Sequence, residues 1–273
     1  IYLVISAVFI GCTPILSIGA STQDVYHFHD TDKNISLLDV SAIFGSYDGS
    51  FVLYDNHLDS WKIYNLEEAN KRIPPDSTYK IYDALLGLES GIITPEHSSM
   101  AWNGEHFSYS AWENDQDLNS AMQNSVNWYF QTMDSQLGLN KIQEFLNEIE
   151  YGNQTTSSNL KLYWSDFSLK ISPIEQVELL KKFNTNGFHL HSPNVLSVKN
   201  AIKIADTSDG TFYGKTGTGC IDGQDISGWF IGYIETSDNI YYFATNIQSD
   251  SNATGKKALE ITSAILKKLH IWN

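Results

Sequence analysis

Cysteine is scarce, with only Cys12 and Cys220 in 273 residues, which excludes a disulfide framework. No Cys/His cluster has zinc spacing either. Two His-x-His pairs, His27/His29 and His189/His191, would each point two imidazoles one way along a strand. Without a nearby carboxylate or cysteine pattern they read as solvated loop pairs, so no metal is expected. Positive charge is also in deficit, with 17 Lys and Arg against 32 Asp and Glu and a formal net charge of −15. That balance excludes nucleic acid as a general partner, though it leaves open a cleft that is basic inside. Internal repeats and low-complexity tracts are missing. Residues 1–20 carry no charge at all, and a run of that length can cross a bilayer. Neither an initiator Met nor a basic leader precedes them, so the run reads as cut from something longer. It can be a transmembrane helix ahead of an external domain, an incomplete signal peptide, or a lipoprotein signal with Ile10-Gly11-Cys12 as a poor lipobox.

What is present describes a folded globular protein with a large core: 42% hydrophobic, 13% aromatic and 18% charged residues. Residues 21–39 are polar and weakly patterned and read as a linker. Phe51-Val52-Leu53-Tyr54 and Trp61-Lys62-Ile63-Tyr64 flank a polar turn and predict an antiparallel hairpin. A helix is expected from near Ser77 to near Gly91. Further helices are expected from Leu118 to Phe130, around Ile142 to Ile149, and around Glu175 to Phe183. The period then changes to strands at Thr211-Phe212-Tyr213, Trp229 to Tyr233 and Ile240 to Ala244. Ala258 to Leu269 forms a closing amphipathic helix. The predicted class is α+β: a mostly antiparallel sheet built from both chain ends, with a helical subdomain inserted between.

The chemistry centres on Pro74-Pro75-Asp76-Ser77-Thr78-Tyr79-Lys80. Paired prolines lead into a helix, and Asp76 is expected to cap it. Ser77 then sits at a helix start, where free N–H groups and the dipole favour developing negative charge. Lys80 lies three residues on, on the same face. If buried, its amine is neutral and can take the serine's proton. Alone, Ser-x-x-Lys is a weak signal that better fits a capped helix with a surface lysine. Two further pieces follow in order. Ser125-Val126-Asn127, on the predicted second helix, offers a hydroxyl and an amide. Lys215-Thr216-Gly217-Thr218-Gly219 offers a fixed cation, hydroxyls, and glycines that let a ligand approach the backbone. Their bland readings are a helix surface and a Gly-rich hairpin loop.

Ser-x-x-Lys, then Ser-x-Asn, then Lys-Thr-Gly resembles the penicillin-recognising serine acyltransferases: transpeptidases, serine β-lactamases and β-lactam receptors. The resemblance implies the serine β-lactamase/penicillin-binding transpeptidase-like fold. Tyr151-Gly152-Asn153 followed by Trp164 is similar to class D β-lactamases. Those enzymes carry a CO2-derived carbamate on the active lysine, with the tryptophan packed beside it. As bare residues these are a helix C-terminal turn and a core aromatic. From residue 40 onward the chain most resembles the extracellular sensor domain of the BlaR/MecR β-lactam receptors. Phe44-Gly45-Ser46, the run from Pro75 to Tyr82, Ala121 to Phe130, Ser168 to Ser172 and Tyr213 to Gly219 carry that likeness.

The receptor resemblance implies a division into a membrane crossing (1–20), a linker (21–39) and a penicillin-binding sensor domain (40–273). It places the chain at the cell membrane, with the sensor outside and further transmembrane and cytoplasmic metalloprotease regions in the same full-length chain. β-Lactam antibiotics are the expected partners, and no separate cofactor is expected beyond CO2 as an N-carboxyl group on Lys80. Ser77 is the expected nucleophile, Lys80 its base and Ser125 the proton relay. Lys215, Thr216, Gly217 and Thr218 hold the ligand, with the Ser77 and Thr218 N–H groups around the oxyanion. Trp164 and Asn127 border the site, and Tyr151 and Asn153 support it. Class D enzymes usually carry Val where Asn127 stands, and a polar amide beside the lysine resembles the receptors. No arginine for an antibiotic carboxylate occurs late in the chain, so Lys215 and the Thr216 and Thr218 hydroxyls carry most of that task, with Lys256 or Lys257 only as candidate helpers. A membrane-tethered class D β-lactamase is the alternative reading, and a D,D-peptidase a weaker one.

Overall fold

The computed structural model describes residues 24–26 and 34–272. The apolar run 1–20 and the His27/His29 pair lie outside the described residues. Among the described residues, no helix is long and apolar enough to cross a membrane.

The strands are β1 (Asn34–Leu37), β2 (Asp48–Asp55), β3 (Ser60–Tyr64), β4 (Lys203–Thr207), β5 (Gly210–Ile221), β6 (Gln224–Glu235) and β7 (Ile240–Gln248). The first helices in the chain are α1 (Ser41–Phe44), α2 (Leu66–Asn70) and α3 (Lys80–Glu89). The inserted set is α4 (Leu118–Gln123), α5 (Asn127–Leu137), α6 (Leu139–Glu148), α7 (Pro173–Asn184) and α8 (Ser192–Ala201), and α9 (Gly255–Lys268) closes the chain. The sheet order is β1-β3-β2-β7-β6-β5-β4, so the two ends of the chain meet where β2 pairs with β7. Every neighbouring pair is antiparallel except β1 with β3.

Strand side chains alternate between two faces, and each face has its own core. Phe51, Leu53, Phe230, Ile234, Phe243 and Ile247 pack beneath α1 and α9. Val52, Tyr54, Trp229, Ile231, Tyr233, Tyr242 and Ala244 join the larger core shared with the helical insertion. The expected hairpin forms as predicted, with Phe51 opposite Tyr64 and Asp55 opposite Ser60. The stretch 21–39 is not all linker, because its Asn34–Leu37 segment adds a parallel edge strand to β3.

The single helix expected from Leu118 to Phe130 is two helices. The chain breaks at Ser125, whose φ is +54°, and α5 begins at Asn127. Ser125 therefore stands on a turn between helices, not on a helix. Asp76 is not a cap either. It opens a 3-10 turn (Asp76–Tyr79) with its own φ at +49°, it is buried, and its side chain makes no capping bond. Pro75 occupies the cap position.

Candidate active site

Three separate parts of the fold converge on one amine. The 3-10 turn runs directly into α3, and Lys80 is the first α-helical residue. Its Nζ lies 3.0 Å from Ser77 Oγ, 2.8 Å from Ser125 O, 3.2 Å from Ser125 Oγ and 2.6 Å from Asn127 Oδ1. Ser125 reaches the amine because the left-handed turn between α4 and α5 aims both its carbonyl and its hydroxyl inward. On the far side, Lys215 Nζ donates to Ser125 Oγ at 2.9 Å and to Thr216 O at 2.9 Å. The Ser125 hydroxyl thus bridges two lysines.

Both lysines are buried, Lys80 fully and Lys215 to 4% exposure. Burial drives the Lys80 amine well below the ordinary lysine range, and the charge of Lys215 adds to the effect, while Asp83 and Asp76 oppose it. Lys215 is pushed down to about 7 by burial. A neutral Lys80 amine can accept the Ser77 proton across 3.0 Å.

Gly217 permits the turn and β5 to lie close together. A Cβ there would sit 3.1 Å from Pro75 O and 3.3 Å from Ser77 N. The Lys-Thr-Gly run is thus part of β5 and not a hairpin loop. Thr216, Gly217 and Thr218 line the cleft of about 370 Å³ that contains Ser77, Ser125 and Asn127. The Thr218 hydroxyl is already engaged, accepting from Gly255 N at 2.9 Å. A larger concavity of about 650 Å³ lies beside α7, lined by Arg72, Glu175 and Lys182, and it does not include Ser77. The smaller cleft has the chemistry.

Trp164 does not line the cleft beside Ser77. Its ring stacks on Tyr79 at 6.3 Å, and its carbonyl accepts from Asp76 N at 3.0 Å, so it supports the turn from behind. Tyr151 is buried edge-on to Tyr79 and Tyr82, at 5.2 and 5.1 Å. Asn153 clasps the chain at residues 168–170, donating to Ser168 O and accepting from Lys170 N. Lys257 is ion-paired with Glu260, and neither Lys256 nor Lys257 lines the cleft. His189 and His191 are exposed, and no metal-binding cluster occurs among the described residues.

The sequence reading missed Tyr109 and Trp112, which form a wall of the cleft. Trp112 Nε1 donates to Asn124 O at 2.9 Å and so braces the turn that presents Ser125. The aromatic density of the segment from Trp102 to Trp112 was the available signal.

This is the penicillin-binding serine acyltransferase fold. The chain belongs to the penicillin binding protein transpeptidase domain family, whose model matches residues 49–267. It is 43% identical over 99% of its length to the regulatory protein BlaR1 of Bacillus licheniformis, and it spans 45% of that relative. Among solved structures, the C-terminal domain of the Bacillus licheniformis BlaR penicillin-receptor superposes with a TM-score of 0.86. That pair is 44% identical, with 89% of this chain and 99% of that one covered. A class D β-lactamase from Bacillus subtilis superposes with a TM-score of 0.81 at 34% identity, covering 86% and 97% of the two chains.

Proposed function

We propose that this chain contains the β-lactam-binding sensor domain of a membrane-bound receptor, in which Ser77 forms a long-lived acyl adduct. In the proposed reaction Ser77 Oγ attacks the lactam carbonyl and gives its proton to the Lys80 amine. The ring C–N bond then breaks, and the departing nitrogen takes a proton relayed through the Ser125 hydroxyl. Lys215, while charged, pairs with the ligand's carboxylate. The Ser77 N–H and the Thr218 N–H of β5 provide the donors for the oxyanion.

The observation that carries the receptor reading is the contact of Asn127 Oδ1 with Lys80 Nζ at 2.6 Å. Of the four oxygens around Nζ, Ser125 O and Asn127 Oδ1 only accept hydrogen bonds, which suits an amine that donates them. A carbamate would turn negative oxygens towards those two acceptors, which disfavours the CO2-derived group expected from sequence. Without the carbamate, Lys80 lacks the anionic base that would activate water against the ester, and the adduct persists. The similarity to a regulatory protein more than twice as long supports a receptor with further regions, and residues 1–20 supply a candidate membrane crossing.

Exposure to benzylpenicillin followed by intact-mass spectrometry tests the assignment: wild type should gain one adduct, and Ser77→Ala none. An adduct surviving in Ser77→Ala would remove Ser77 from the reaction. Asn127→Val should raise the carbamate signal on Lys80 in ¹³C-bicarbonate NMR and speed adduct loss. An unchanged signal and lifetime would remove Asn127 from the account.

A further inference from the structure

The Asp76 carboxyl has an unusual position for a charged residue. It immediately precedes the nucleophile, it is 3% exposed, and its Oδ2 has no hydrogen-bond partner among the described residues. Buried polar atoms are seldom left so, because an unpartnered group forfeits its solvation. Its surroundings show what the side chain fills. A Cβ added at Gly219 would come within 2.8 Å of Asp76 Oδ2 and 3.1 Å of Oδ1, and one at Gly217 within 3.3 Å of Asp76 Cβ. The carboxyl therefore lies flat in the groove left by two glycines of β5. Behind it is a small cavity of about 80 Å³, walled by Ile73, Phe167, Ile226 and Ser227.

On the other side, Asp76 N donates to Trp164 O, and the left-handed φ of Asp76 turns the chain so that Ser77 faces Lys80. The residue is thus clamped between the 164 loop and β5, and Ser77 follows it directly.

We infer that Asp76 is a positioning residue: its side chain is the spacer that sets the separation of the Ser77 turn from β5. This inference rests on the proposed acylation of Ser77. The separation matters because the attacking hydroxyl and the backbone donor on β5 must meet one carbonyl group. A misplacement of about 1 Å in such an arrangement costs on the order of 100-fold in rate. The spacer acts as a neutral acid. Burial holds its carboxyl well above the usual range, and a proton on Lys80 would only partly offset this. A charged carboxylate here would oppose the oxyanion and hold Lys80 as an ammonium. Shape is therefore what the position needs, and asparagine has that shape without the charge.

The experiment is a four-variant comparison with benzylpenicillin, separating the first-order acylation constant from the preceding binding constant by rapid-quench mass spectrometry. Asp76→Asn should react as wild type does. Asp76→Ala should lose about 10- to 100-fold in the first-order constant with binding little changed. Gly219→Ala pushes on the spacer from the opposite side, keeps Asp76, and should also slow the chemical step. Combining Asp76→Ala with Gly219→Ala puts a methyl group into the vacated groove and should react faster than Asp76→Ala alone. Thermal melts establish which variants are folded, and Gly219→Ala carries the test if Asp76→Ala does not fold. The inference is overturned if Asp76→Ala reacts at the wild-type rate, if Asp76→Asn is as slow as Asp76→Ala, or if the double variant gains nothing. A wild type that forms no adduct contradicts the functional reading itself. A reactive wild type beside a reactive Asp76→Ala contradicts only the role of Asp76.

Discussion

Lys80 and Lys215 are joined through one hydroxyl, that of Ser125, yet the site asks opposite things of them. Lys80 must be neutral to accept a proton, and its deeper burial and the neighbouring Lys215 charge both favour that. Lys215 must be charged to attract a carboxylate, and burial alone brings it down to about 7. Below about 7 Lys215 carries its proton and, in the proposed reaction, would bind the ligand's anion; above it the amine is neutral and that attraction would be lost. The second-order acylation constant should therefore decline as pH rises through about 7, mainly in the binding step. Lys215→Arg keeps its charge at all these pH values and should move the decline upward. An alkaline limb unchanged in Lys215→Arg would assign it to another group. This part of the site was legible in sequence, because three short motifs in order fix which residue types meet. The role of Asp76 was not legible. A carboxylate after two prolines is locally a good cap, and only the approach of β5, some 140 residues on, buries it.

Helices α3 and α5 hold Lys80 and Asn127, and each also carries a buried acid further along. Asp83 and Asp134 are both fully buried, and Tyr163 donates its hydroxyl to Asp134 Oδ1 at 3.2 Å. Burial raises both carboxyls, Asp134 to about 8, and Asp134 raises Asp83 further. A carboxyl raised from 3.8 to about 8 is bound more tightly to its proton when folded. Its fold is thus most favoured below the unfolded value and loses stability as pH climbs towards about 8. Asp134→Asn carries no such penalty. It should melt higher than wild type at pH above 8, by roughly 2 °C per kcal/mol regained, and the gap should shrink towards pH 5. A gap independent of pH would contradict this reading. Gly152 makes a second element-scale test. With φ at +52° and its Cα against the Lys170 carbonyl, any Cβ would collide with backbone. Gly152→Ala should cost about 3 kcal/mol or more in a denaturant melt, and a near-neutral result would mean that the 151–153 turn is not a fixed clasp. The break at Ser125 escaped the sequence for a related reason. Ala121, Met122, Val126, Tyr129 and Phe130 are all buried in the same core, so their spacing reads as one continuous helix. Strand β4 and helix α8 were missed because they show little contrast: β4 is mostly exposed, and α8 buries only Asn194, Val195, Val198 and Ala201.

At the scale of the whole molecule, the architecture was legible where burial is two-sided. β2, β6 and β7 alternate between two cores, and the pairing of β2 with β7 joins both chain ends in one sheet. That sheet is the platform on which β5 presents Lys215 to Ser77 and Lys80, from the 3-10 turn and α3, and to Ser125 and Asn127, from the helical insertion. Receptor and hydrolase share this platform, as the superpositions on a penicillin receptor and on a class D β-lactamase make plain. What separates them is the fate of the adduct, which depends on whether Lys80 can activate water once acylation is complete. The acyl-Ser77 species should therefore be followed directly, by intact mass after a brief pulse of benzylpenicillin and removal of the free drug. The account predicts one equivalent of adduct that persists for hours, with no accumulation of hydrolysed penicillin. An adduct that decays within minutes while many equivalents of penicillin are hydrolysed would contradict it and make the protein a β-lactamase.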